Sequence, residues 1–183
     1  MPLIRIKYPS ALLLALLAAP AAAQESPRAA KCVQQFTERT AIFVAQDWPL
    51  LLTASARFLR ECRGVFPKYD EATAFESIAI ANLRLGSLQK AIQAADRCTQ
   101  FLYSKYACHL RRAEALVGLG NLTEAEQALA RSERLIQHQL QGIDLDMRTA
   151  QNAAERELVT ARREELVAMR SEAAAFRELH FPK

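Results

Sequence analysis

The chain has 183 residues, of which 51% are hydrophobic, and its 24 Lys and Arg against 20 Asp and Glu give a net charge of +4. High apolar content with low net charge excludes a disordered chain, and an excess of four positive charges is too small to indicate nucleic-acid binding by itself. The 34 Ala and 25 Leu outnumber the 14 Val and Ile, and Gly and Pro number only 5 and 7, so the composition favours an all-α fold over a β-sandwich or barrel.

The first 23 residues have the three-part pattern of a secretory signal peptide. Arg5 and Lys7 form a basic start, residues 11–19 form an apolar run of nine, and three alanines precede Gln24. Since a membrane-spanning helix needs about 20 apolar residues, the pattern predicts a signal that is cleaved after Ala23 rather than an uncleaved anchor. We therefore expect a periplasmic or secreted protein with no transmembrane segment after cleavage. Removing the two basic residues leaves 22 positive against 20 negative charges.

Residues 24–71 are predicted to form an N-terminal hairpin of two helices. Apolar side chains recur at helical spacing over residues 29–46, and Pro49 suits the first turn of a second helix. Gly64 and Pro67 then end this second helix, because glycine favours a helix C-terminus and proline cannot continue one.

Four cysteines follow the signal and predict two disulfides. An even count in an exported chain favours disulfides, and no Cys-x-x-Cys spacing indicates a metal site. Of the three possible pairings we prefer Cys32–Cys62 and Cys98–Cys108. A turn signal midway between Cys32 and Cys62 would place both at the open end of one hairpin, and Cys98 and Cys108 bracket a nine-residue segment that fits a turn between two further helices.

A short motif recurs after 34 residues in the centre of the chain. Residues 85–91 are LGSLQKA and residues 119–125 are LGNLTEA, so both segments fit L-G-[S/N]-L-x-x-A. Gly86 and Gly120 each follow one apolar helical stretch and precede another. The repeated segment therefore predicts a helix, a tight turn at glycine, and a second helix, twice over.

This pattern resembles the tetratricopeptide repeat, a helix-turn-helix unit of 34 residues. On that alignment residues 72–139 contain two repeats and residues 24–71 a degenerate one. The resemblance implies antiparallel helical hairpins stacked as a short right-handed solenoid, with a groove, lined by the first helix of each repeat, that binds a protein or peptide segment. The groove residues it implies are Glu76, Ile80, Leu83, Arg84, Leu110, Glu114 and Val117. Alternatively, the four apolar members of this set simply pack against the next helix.

Residues 143–183 are predicted to form a long C-terminal helix. Asp144 can cap a helix over residues 145–179, which contain no Gly or Pro. The last part of this helix carries an apolar seam at a 3-4-3 spacing, formed by Leu166, Met169, Ala173 and Phe176. The helix either caps the open end of the array, forms a coiled coil with a second copy, or binds a partner.

No catalytic motif is recognisable, and the three histidines, His109, His138 and His180, are scattered along the chain. We therefore expect a non-enzymatic protein without cofactor or metal, which binds another protein and not nucleic acid. The expected role is a scaffold in the assembly of an envelope or secretion complex. One alternative is a structural subunit of a homo-oligomeric envelope machine, assembled through the C-terminal helix. Another is an enzyme or small-ligand protein with a pocket that holds His109 or His138 beside a carboxylate.

Overall fold

The computed structural model describes residues 26–182, which form seven α-helices and no strand. The helices are α1 (Pro27–Ala45), α2 (Trp48–Glu61), α3 (Lys68–Arg84), α4 (Leu88–Phe101), α5 (Tyr106–Gly118), α6 (Leu122–Thr149) and α7 (Ala153–His180). The described part of the chain is therefore all-α, as the composition predicts. None of these helices combines the length and the apolar content that a membrane span requires. The signal peptide predicted for residues 1–23 lies outside the described residues.

The helices pack mainly on their neighbours in the chain. Each helix from α2 to α7 packs on the one before it. In addition, α3 contacts α5, and α5 contacts α7, so these three helices lie side by side. The largest apolar core joins α4 to α7 and contains the buried side chains of Leu110, Leu129, Ile136 and Leu166. α3 and α5 thus meet on one side of the molecule, where α7 also contacts α5, and we call it the α3–α5–α7 side.

Three hairpins, α1–α2, α3–α4 and α5–α6, turn in the same way. One residue with left-handed backbone conformation follows the first helix of each: Gln46 (φ 58°), Gly86 (φ 72°) and Gly120 (φ 78°). In each case its N–H donates to the carbonyl three residues earlier, and the next N–H donates to the carbonyl five residues earlier. These paired bonds define a Schellman C-cap. The repeated sequence motif therefore makes the same turn twice, and the N-terminal hairpin makes it a third time with glutamine in the glycine position.

Both predicted cysteine pairs lie at disulfide distance. Cys32 and Cys62 have Cα atoms 5.5 Å apart, and Cys98 and Cys108 have Cα atoms 6.2 Å apart. The predicted pairing is therefore confirmed. The N-terminal disulfide (Cys32–Cys62) closes the open end of the α1–α2 hairpin. The central disulfide (Cys98–Cys108) ties α4 to α5 across the loop between them.

The C-terminal segment belongs to two helices, so the prediction of a single long helix is wrong. α6 continues through Gly142 and Asp144, and α7 begins after a break at residues 150–152. The start of α7 is set by Asn152, whose side chain accepts a hydrogen bond from the N–H of Glu155 and donates one to its carboxylate, both at 2.9 Å. Such reciprocal capping outweighs the isolated Asp144. A glycine inside a helix costs only about 0.5–1 kcal/mol, so Gly142 does not end α6.

The predicted apolar seam of the last helix lies against the rest of the chain. Leu166 and Ala173 are buried, and Met169 and Phe176 pack on the core of α4 to α7. The chain itself therefore covers this seam, which is not exposed for a coiled coil with a second copy.

Candidate functional site

The apolar residues that were predicted to line a groove belong largely to the core. Leu110 is fully buried and Ile80 is 5% exposed, while Leu83 and Val117 are partly buried and pack on the core of α4 to α7. The structure thus agrees with the alternative interpretation for these four residues, in which they pack against neighbouring helices. Any partner on this side of the molecule would mainly meet the charged residues nearby.

Glu76 of α3 is paired with Lys105, which immediately precedes α5. Lys105 is 3% exposed, and its Nζ lies 3.2 Å from the Glu76 carboxylate and 3.9 Å from the centroid of the Tyr69 ring. Burial by itself lowers the pKa of Lys105, but the Glu76 carboxylate and Tyr69 together raise the pKa above its usual value. The ammonium group therefore stays charged and links α3 to the start of α5.

Glu165 of α7 joins two tyrosines from other helices. Its Oε1 accepts hydrogen bonds from the hydroxyl of Tyr106 at 2.8 Å and from that of Tyr69 at 3.4 Å. Burial, with Tyr69 and Glu165 close by, raises the pKa of Tyr106 well above its usual value. Tyr106 therefore remains a protonated donor. These bonds tie the starts of α3 and α5 to the middle of α7.

A second link between α5 and α7 passes through Arg111. This side chain is buried, and its Nη1 donates to Glu114 at 2.7 Å and to Glu172 at 2.6 Å, while Nη2 donates to Glu172 at 3.2 Å. Burial raises the pKa of Glu114, although Arg111 opposes the rise. Glu114, a predicted groove residue, thus accepts a charge-assisted hydrogen bond within the chain, while Arg111 makes its forked contact with Glu172.

Arg39 of α1 carries a third buried positive charge. It is 3% exposed, and its guanidinium carbon lies 5.1 Å and 4.8 Å from the ring centroids of Phe36 and Phe58. Burial lowers the pKa of Arg39 to about 10, an effect that the nearby Asp70 carboxylate opposes. The guanidinium therefore remains charged at neutral pH and gains cation–π stabilisation from the two rings.

We call these groups together the charged network: Arg39, Tyr69, Glu76, Lys105, Tyr106, Arg111, Glu114, Glu165 and Glu172. Their contacts link five of them around Lys105 and Glu165, and three of them around Arg111. The network spans α1, α3, α5 and α7, and most of its members are buried or half-buried. Tyr69 and Glu165 are exposed, and so is Arg84, a predicted groove residue whose guanidinium carbon lies 6.0 Å from the centroid of the Trp48 ring. The accessible surface therefore offers charges of both signs and hydrogen-bonding groups.

Sequence reasoning found Glu76 and Glu114 but missed the residues that hold them. Arg111 lies three residues before Glu114 on α5, a spacing that brings side chains together. Glu165 and Glu172 are seven residues apart and flank the apolar seam of α7, so they share its face. Both of these spacings can be recognised in the sequence alone. By contrast, nothing in the sequence around Lys105 indicates that it is buried.

His109 lies on α5, buried beside the loop that precedes this helix. Its Nε2 is 3.1 Å from the carbonyl oxygen of Tyr103, and burial, with Arg112 close by, lowers the pKa of His109 to about 4. The ring is therefore neutral at pH 7. His109 and Asp96 line the same cleft, and the Asp96 carboxylate accepts a hydrogen bond from Arg112 Nε at 2.9 Å. The histidine and the carboxylate are each engaged by another group.

Within residues 26–182, no group of three or more His, Cys, Asp or Glu side chains is placed to hold a metal ion. In comparisons with known proteins, no family model, no curated protein and no solved structure matches the chain.

Proposed function

We propose that the chain is an exported, non-enzymatic protein-binding module built from hairpins similar to tetratricopeptide repeats, which receives a segment of a partner protein on its α3–α5–α7 side. The observation that carries the proposal is the turn at Gly86 and Gly120. The two glycines lie 34 residues apart in the same left-handed conformation with the same pair of backbone hydrogen bonds. A repeated hairpin of this length supports an array that presents the first helix of each unit to a partner.

The charged network supports a polar rather than an apolar mode of recognition. The apolar groove candidates Ile80 and Leu110 are buried, whereas Arg84 and Glu165 are exposed on helices that lie side by side. Because charges of both signs are available, we expect the bound segment to carry both acidic and basic side chains. Complementary charges of this kind set orientation and specificity more than affinity.

The two disulfides support export. Disulfides persist in oxidising compartments and are rare in the cytosol of most organisms. Four cysteines in two pairs, after a segment with the pattern of a cleaved signal, are consistent with a place in the periplasm or outside the cell. In such a compartment a small scaffold would assemble envelope or secretion components.

The proposal is tested by crosslinking from defined positions in the native envelope. A photoreactive residue replaces Arg84, which is exposed next to the charged network, and as a matched control it replaces Gln89, which is exposed on α4. We expect the first position to capture one or a few protein partners that the second does not, as identified by mass spectrometry. Identical capture from both positions, or none from the first, would contradict binding on the α3–α5–α7 side.

A second candidate function is assembly of a homo-oligomer through the junction of α6 and α7. Leu145 and Leu158, which lie on either side of this junction, are 61% and 66% exposed, a high exposure for leucine. We expect light scattering to show a multimer that the double variant Leu145→Glu, Leu158→Glu converts to a monomer. Leu179→Glu, at an exposed position near the other end of α7, is the control. A monomeric unmodified protein would exclude this candidate.

A further inference from the structure

Two adjoining clefts lie away from the charged network. The first, with a volume of about 480 Å³, is lined by residues of α4, α5 and α6, including Arg112, Arg131 and Arg134. The second, with a volume of about 430 Å³, lies between α6 and α7 and is lined by Arg134 and Arg170 among others. The two share Ala130 and Arg134 and therefore adjoin along α6. We call the two clefts together the arginine trough.

Positive charge exceeds negative charge in the arginine trough. Its four arginines face two carboxylates, and both carboxylates are already paired. Asp96 accepts from Arg112 at 2.9 Å, and Glu133 accepts from Arg177 at 2.7 Å and 2.8 Å. The trough therefore has arginines whose charge is not balanced by its own acidic side chains.

Three arginines of the trough make no ion pair with any residue in the range 26–182. Arg131 lies over the Tyr103 ring, with its guanidinium carbon 5.2 Å from the ring centroid. Arg134 and Arg170 are exposed and have neither an ion-pair nor a hydrogen-bond partner in the described part of the chain. Since an arginine fork matches a carboxylate with two parallel hydrogen bonds, these side chains are available to acidic groups of a partner.

The floor of the trough suits a peptide chain. Alanines from two helices, Ala128 and Ala130 of α6 and Ala174 of α7, line it between the arginines. Their small side chains allow a backbone to approach closely. Gln127 and Gln137 of the same lining can exchange hydrogen bonds with peptide groups.

We propose that the arginine trough binds an acidic, extended segment of a partner protein. The carboxylates of this segment would pair with Arg131, Arg134 and Arg170. Charge complementarity carries this choice. A nucleic acid is disfavoured because the described residues that line the trough include no Phe, Tyr or Trp on which successive bases could stack. Beside the trough, the aromatic side chain of Tyr103 has Arg131 over one face of its ring. The site is separate from the α3–α5–α7 side.

The test uses the mature chain and a fluorescent peptide of alternating Glu and Ala, about ten residues long and roughly 33 Å when extended. Fluorescence anisotropy at low ionic strength should show saturable binding that weakens as salt is added. The double variant Arg134→Glu, Arg170→Glu should weaken binding by about tenfold or more, because each reversal replaces an attraction by a repulsion.

The matched control is Arg148→Glu, Arg162→Glu, which changes the net charge by the same amount at two exposed positions outside the trough. It should leave the affinity within about twofold, and circular dichroism should show both variants to be folded. The proposal is overturned if the peptide does not bind, if the control weakens binding as much as the trough variant, or if a single-stranded oligonucleotide binds more tightly with the same dependence on Arg134 and Arg170.

Discussion

The turn at Gln46 holds an L-amino acid where the two equivalent turns hold glycine. Gln46 has φ 58° and is exposed, and its side chain makes no hydrogen bond with another residue of the described chain. A left-handed conformation costs a non-glycine residue roughly 1–2 kcal/mol. Glycine avoids this cost but loses about 0.5–1 kcal/mol more backbone entropy on folding. Gln46→Gly should therefore stabilise the protein by about 0.5–1 kcal/mol.

The assay is urea and thermal unfolding of the mature chain with both disulfides intact. For a chain of this size the expected gain in Tm is about 1–4 °C. Gln46→Ala is the matched control, because it removes the amide but keeps the β-carbon, and it should change stability by less than about 0.5 kcal/mol. In the opposite direction, Gly86→Ala should cost about 1 kcal/mol through backbone strain alone, since an added β-carbon would meet no atom within 4 Å.

The decisive comparison is between Gln46→Gly and Gln46→Ala. If both leave the unfolding midpoint unchanged while Gly86→Ala lowers it, the backbone at Gln46 is not strained as the φ value indicates. If Gln46→Gly destabilises the protein, the glutamine side chain itself stabilises the folded state. Either result would refute the argument that the three turns are equivalent.

Three further perturbations have calculable outcomes. Replacing both cysteines of the N-terminal disulfide by alanine should lower the free energy of unfolding by about 3.6 kcal/mol, and removing the central disulfide should lower it by about 2.7 kcal/mol. These values follow from the sequence separations of 30 and 10 residues. Urea unfolding measures both losses, and a larger loss for the central disulfide would contradict the chain-entropy argument. Arg111→Ala should lower the free energy of unfolding by about 3 kcal/mol, because it leaves two half-buried carboxylates unpaired. A loss below about 1 kcal/mol would refute this prediction. His109 has a pKa of about 4 when folded and about 6.5 when unfolded, so the stability present above pH 6.5 should fall by up to about 3 kcal/mol as pH drops toward 4. His109→Gln, whose amide can still donate to the Tyr103 carbonyl, should reduce this pH dependence, and an unchanged slope would exclude His109 as its source.

The hairpins and disulfides were predictable because their signals are local. Gly86 and Gly120 readily adopt the left-handed backbone that ends a helix, and Pro49 suits the first turn of α2, so turns follow from single residues and their spacing. Once the turns are known, the cysteine pairing follows from which helix ends lie next to each other. The prediction of the boundary between α6 and α7 is wrong because it takes Asp144 alone as the start of the last helix. Asn152 has a glutamate three residues later, and in the structure its side chain bonds both the N–H and the carboxylate of Glu155.

The charged network was not predictable as a network, because it joins residues far apart in the chain. Glu165 is 59 residues from Tyr106, and Glu172 is 61 residues from Arg111. Amphipathic spacing shows which face of a helix each residue occupies, but the partner depends on how α7 lies against α3 and α5. For the same reason the sequence predicts Ile80 and Leu110 to line a groove, whereas the packing of adjacent helices buries them.

The order of the disulfides along the chain has a consequence for how the protein matures. The first two cysteines pair with each other, and so do the last two. When a chain emerges from a ribosome or a translocation pore with its N-terminus first, Cys62 appears before Cys98, so the first bond can close before any competing thiol is present. Consecutive pairing therefore lets oxidation proceed in step with emergence, and native bonds can form without reshuffling of wrongly paired cysteines.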